Sequence, residues 1–88
     1  MRYPRIHKAK VTDNTTLVIK FDNQEVKKYD IRKLWHIPMF SLLKEPAFFK
    51  SFKVEQGGYE IIWNKDIDLS EYELWKYGTV VEDELDLL

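Results

Sequence analysis

Cysteine is absent from the 88 residues, which excludes disulfides and thiolate metal centres together. Glycine occurs only at 57, 58 and 78, too few and too scattered for a loop that cradles phosphate. No apolar run approaches the roughly 20 residues of a membrane span. The charged N-terminus, MRYPRIHKAKVTD, has no apolar core for a signal peptide. Together these absences lead us to expect a soluble, cytoplasmic protein with no membrane partner.

Catalytic patterns are missing too. His7 and His36 have no further ligand at zinc-binding spacing. Ser41, Ser51 and Ser70 lack the G-x-S-x-G context of an activated nucleophile. Asp66-x-Asp68-x-Ser70 opens like a calcium loop, but its sixth and twelfth positions hold Glu71 and Tyr77 instead of Gly and a bidentate Glu. We therefore expect no enzyme, no metal and no cofactor, and we read these acids as helix caps.

What is present suffices for one core. Hydrophobic residues make up 44% and aromatics 15%, in a chain too short for two domains. The net charge of −1 conceals a division. Residues 1–53 hold 12 Lys/Arg against 5 Asp/Glu, whereas residues 54–88 hold 2 against 10. Such asymmetry either marks a charged partner or is neutralised internally, basic strand beside acidic strand.

The stretch 59–78, YEIIWNKDIDLSEYELWKYG, organises the rest. Tyr59, Ile61 and Trp63 alternate onto one face of a strand, and Asn64-Lys65-Asp66 turns the chain. Ser70 is the expected N-cap of a short helix, with Glu73 reaching back as the other half of a capping box, although Asp68 and Glu71 offer an offset register. Leu69 and Leu74 fall at staple positions, and Gly78 is placed to end the helix in a left-handed conformation.

Upstream, residues 3–12 read as a strand whose broken alternation at Ile6, Ala9 and Val11 suggests a bulge. Residues 15–21 form the clearest early strand, with Leu17, Ile19 and Phe21 on one face, and 25–31 a third with Val26 and Tyr29 as anchors. Asp30 is placed to cap a helical turn over 31–35; short helices follow at 39–44 and 45–50, then a strand at 51–55 and a Gly57-Gly58 hairpin. Residues 79–81 are a short apolar segment. The expectation is a single α+β domain over residues 1–81, with an antiparallel sheet of about five strands (a three-strand meander and a hairpin), short helices and a short C-terminal helix. Residues 82–88 read as a solvated acidic tail.

Two surfaces follow. Trp35, Ile37, Met39, Phe40 and Leu43 form an apolar cluster suited to anchor a small protein partner. Arg5, Lys8, Lys10, Lys27, Lys28, Arg32 and Lys33 form an alternative surface for an anion or nucleic acid, without a recognised RNA-binding motif. Trp63, Asp68, Ser70, Leu74 and Gly78 are expected to serve structure.

The order of a short apolar helix, Pro46, Phe48-Phe49, a strand, Gly57-Gly58, a strand ending Ile62-Trp63, then Asn64-x-x-Ile67-Asp68-Leu69-Ser70 resembles the bacterial family called domain of unknown function 2442. The first half agrees, from Leu17-x-Ile19-x-Phe21 to Tyr29-Asp30-Ile31 and Leu34-Trp35, so the resemblance covers residues 6–77. It implies a small α+β domain on an antiparallel sheet and no established activity. Some relatives append a helix-turn-helix segment, and others look like one half of a toxin–antitoxin pair. With no such segment before Leu88, DNA binding by that route is not expected. The resulting expectation is a non-enzymatic protein-interaction module of undetermined oligomeric state, with a toxin–antitoxin-like pair as the setting the resemblance implies; a nucleic-acid-associated regulator using the basic half is the alternative.

Overall fold

A computed structural model describes residues 3–81. Strands β1 (Ile6–Val11), β2 (Thr16–Phe21) and β3 (Val26–Asp30) form the expected antiparallel meander. The register shifts between Ile6 and Lys8, where the alternation of apolar residues breaks. Asp30 caps a 3-10 turn (Ile31–Leu34), its carboxylate accepting from the Arg32 amide at 3.0 Å. A 3-10 helix (Pro38–Lys44) and α1 (Pro46–Phe49) follow, each with proline at a first-turn position that needs no amide partner.

Next come β4 (Lys53–Val54), β5 (Glu60–Asn64) and β6 (Ile67–Ser70), then α2 (Glu71–Tyr77) and β7 (Thr79–Val80). The single sheet of about five strands is replaced by two antiparallel sheets. One has the order β1-β2-β3-β7 and the other β4-β5-β6. Ile67-Asp68-Leu69-Ser70 extends before the helix begins, burying Ile67 and Leu69 and exposing Asp68 and Ser70. Beyond α2 the chain returns to the meander and pairs Thr79 with Lys28 and Val80 with Lys27. The proposed tail, 82–88, lies outside the described residues.

One apolar cluster joins both sheets, with Leu17, Ile19, Phe21 and Tyr29 from the meander meeting Leu43, Phe49, Ile61, Trp63 and Leu74. Trp63 stacks near-parallel on Phe49 at 6.3 Å, meets Phe52 edge-on, and donates its indole N–H to the Phe49 carbonyl at 2.8 Å. The indole therefore buries a large apolar body with its one polar atom satisfied. Gly58 links the sheets. Its carbonyl accepts from the Ile6 amide at 2.8 Å, and its φ of +80° is one a side chain rarely tolerates.

Helix α2 starts at the expected place. Ser70 Oγ accepts from the Glu73 amide at 3.1 Å, and Leu69 and Leu74 are buried as the staple requires. The reciprocal half of the capping box does not form, because the Glu73 carboxylate instead accepts from the buried Tyr29 hydroxyl at 2.7 Å. The helix end also differs from expectation. Gly78 has φ −76° and ψ 160°, not the left-handed conformation. Glycine is needed there for space, since a Cβ would lie 2.5 Å from the Leu74 carbonyl oxygen and 3.2 Å from Lys27 Cβ. No helix among the described residues is long and apolar enough to cross a membrane.

Candidate functional site

The apolar cluster foreseen around 35–43 is divided by the fold. Leu43 is fully buried in the core and cannot anchor an interface as expected, because the 3-10 helix Pro38–Lys44 turns it inward. Its neighbour Leu42 is exposed in its stead, at 49%, close to Met39 at 57%. Trp35, Ile37 and Phe40 are half-buried and pack against the core with one side. Met39 and Leu42 are three positions apart, which is one turn of a 3-10 helix, so both project from the same edge.

Beside this lip runs a groove of about 380 Å³, with Leu34, Ile37, Phe40 and Leu69 as apolar lining and Asp68, Ser70 and Glu73 along the other wall. The acids on that wall are differently constrained. Glu73 is held by Tyr29. Asp68 lies diagonally from Glu60 across the β5–β6 ladder, and hydrogen bonding to Asp68 holds the Glu60 carboxyl above the usual carboxylate range. Trp35 Nε1 is buried with no hydrogen-bond partner among the described residues, a costly state for an indole N–H.

The seven expected anion contacts do not form one surface. Lys27, at 9% exposure, faces the core side of the sheet opposite Ile19. It lies over the Trp75 ring at 3.8 Å and donates to the Trp75 carbonyl. Lys33 donates to the Tyr77 carbonyl at 3.1 Å. Both amines thus satisfy carbonyls at the C-terminal end of α2, where the helix dipole favours positive charge. This corrects their expected place on an anion surface. Arg32 forks onto Asp30, with Nη2 to Oδ2 at 2.7 Å, and this guanidinium holds the Asp30 carboxyl below its ordinary range. Arg5 lies over the Tyr59 ring at 4.1 Å.

Lys8, Lys10 and Lys28 remain on the outer face of the meander, and the register adds Lys20, which sequence reasoning did not select. Lys8 stands opposite Lys20, while Lys10, Val18 and Lys28 form one row across three strands. The signal for Lys20 was available: once Leu17, Ile19 and Phe21 take the inner face, alternation sends Lys20 outward. Val18 on that outer face is only 2% exposed, although it is flanked by exposed lysines whose aliphatic stems can cover it.

No group of three or more His, Cys, Asp or Glu side chains that could hold a metal ion is found among the described residues. His7 and His36 are both exposed and lie in separate elements.

The model of a protein family described as a protein of unknown function, DUF2442, matches residues 6–79. The chain belongs to the DUF2442 family. The DUF2442 match begins with the first residue of β1 and ends within β7, so β1 to β6 and every helix among the described residues lie inside it. No curated protein and no solved structure matches the chain.

Proposed function

We propose that this DUF2442 domain is a non-enzymatic interaction module that docks a small protein partner through the lip and groove formed by Ile37, Met39, Phe40 and Leu42. The observation that carries the reading is the paired exposure of Met39 and Leu42 on one short 3-10 helix directly above the core. The other exposed large hydrophobics among the described residues, Tyr59, Tyr77 and Val80, lie in separate segments and form no such pair on one helix. Protein interfaces draw their affinity from a few large side chains seated in desolvated pockets, and Met is suited to such surfaces because it repacks without branching. Ile37 and Phe40 are already held by the core on one side, so burying their remaining surface costs little side-chain entropy. The wall of Asp68 and Glu73 favours a partner that sets a cationic group beside its apolar anchor. A toxin–antitoxin-like pairing is one setting in which a module of this kind would act.

The test compares capture by the tagged wild-type protein with capture by a Met39→Asp/Leu42→Asp variant, after thermal melts have shown both to be folded. A small protein recovered in stoichiometric amount by the wild type and lost by the variant supports the reading. Equal recovery by both would place the interface elsewhere.

A further inference from the structure

Beyond that reading there is a second surface, the outer face of the four-stranded sheet, which shares no residue with the apolar lip. We infer that this face binds the phosphate backbone of nucleic acid, independently of base sequence. The register sets Lys8 directly opposite Lys20 and aligns Lys10 with Lys28 on either side of Val18. Four lysines gathered on one sheet face set up a positive potential that favours an anion lying across it. Neither β1 (IHKAKV) nor β2 (TLVIKF) contains an acidic residue.

The same face continues into a groove of about 650 Å³ whose lining includes Lys28, Thr12 and Thr79, with Arg32 and Lys33 at its wall already engaged by Asp30 and by the Tyr77 carbonyl. The Lys28 ammonium and the two threonine hydroxyls are donors for phosphate oxygens. Asp13 and Asp30 also line it, and both are engaged by local partners. Asp13 accepts from the Thr15 amide and from the Thr15 and Thr16 hydroxyls, and Asp30 is forked by Arg32.

Two features favour nucleic acid over an acidic protein. Val18 at the centre of the face is already covered and Val26 opposite Lys20 is half-buried, so the face offers a protein partner no deep apolar anchor. The affinity of such a surface must come from charge, as phosphate binding does. The outward positions of β1, β2 and β3 also carry no Phe, Tyr or Trp, so no large ring is there to stack bases, and the chemistry reads the backbone.

The test is fluorescence anisotropy of the full chain with fluorescein-labelled single-stranded DNA of about 20 nucleotides, a length exceeding one small-domain site. Two unrelated sequences are used, at low and at physiological salt. The expected result is equal affinity for both sequences, falling linearly with log salt at a slope of about −0.7 for each phosphate neutralised. Lys10→Glu/Lys28→Glu should weaken binding by about tenfold or more at low salt, whereas Lys65→Glu, a single charge reversal on the β5–β6 turn, should alter it less than about twofold. Lys8→Gln/Lys20→Gln gives an independent reading if charge reversal impairs folding, which melts run in parallel will show. Binding that is absent at low salt, or weakened equally by the Lys65 control, overturns the inference. Equal affinity for polyglutamate overturns it in favour of an acidic protein. Binding that appears only when residues 82–88 are removed overturns it in favour of the chain's own acidic segment.

Discussion

Tyr29 shows how a single residue ties the two halves of the chain together. Its ring is fully buried between the meander and α2, and its hydroxyl donates to Glu73 at 2.7 Å. Burial first, and the Glu73 carboxylate second, push the phenol well above the ordinary tyrosine value of 10.0. A pKa raised on folding contributes stability that is complete below the unfolded value and is lost as pH climbs above it. Tyr29→Phe should therefore cost about 1.5 kcal/mol at neutral pH, the scale of a hydrogen bond to a charged group. Above pH 10 the wild type should lose stability faster than the variant, so that the gap between them narrows. Chemical denaturation of both proteins across that range checks the direction. Tyr29 was legible as a core anchor, but its partner was not. Glu73 satisfied a capping pattern, and only the packing of α2 on β3 brings it to the phenol. Lys27 escaped for a related reason. Val26 and Tyr29 were paired as anchors, yet residues three apart in a strand face opposite ways, and Lys27 shares the inner face with Tyr29.

Among the elements, α2 was the most readable and β7 the least. Ser70, Leu69 and Leu74 specify the helix start through local chemistry, and all three behave accordingly. Strand β6 is masked in the sequence because Asp68 and Ser70 are strong capping residues, a signal that competes with the plain alternation of Ile67, Asp68, Leu69 and Ser70. Strand β7 consists of two exposed residues whose pairing to β3 depends on where α2 delivers the chain, a non-local fact. Gly78 makes that delivery. Because its φ of −76° suits any residue, Gly78→Ala tests crowding rather than backbone strain. We expect a loss of about 1–3 kcal/mol as the Leu74 carbonyl and the α2–β7 turn shift to admit the methyl group. Urea titration measures it, and an unchanged midpoint would mean that the turn relaxes freely.

At the scale of the whole molecule, the two sheets share one core, so they should unfold together. Trp63 belongs to the smaller sheet but packs on Phe49 and Phe52 beneath the 3-10 segment. Trp63→Ala should cost about 3–5 kcal/mol, by loss of apolar burial and by the cavity left behind. Far-ultraviolet dichroism and near-ultraviolet aromatic signals should still melt in one coincident transition; separate transitions would show that the sheets are independent units. Charge asymmetry along the chain was visible at once, and its resolution in space was not. Lys27 and Lys33 from the basic half finish the acidic half's helix, whereas Lys8, Lys10, Lys20 and Lys28 gather on an open sheet. Composition reports both groups as the same excess of positive charge.

The exposed thioether of Met39 makes the apolar lip sensitive to oxidants. None of the core side chains contains sulfur, so peroxide has little to attack inside the fold. Conversion of Met39 to its sulfoxide would set a polar oxygen among Ile37, Phe40 and Leu42 while leaving the core intact. A partner seated on that lip would be released by oxidation and readmitted after enzymatic reduction of the sulfoxide, so one surface atom would couple docking to the oxidative state of the cell.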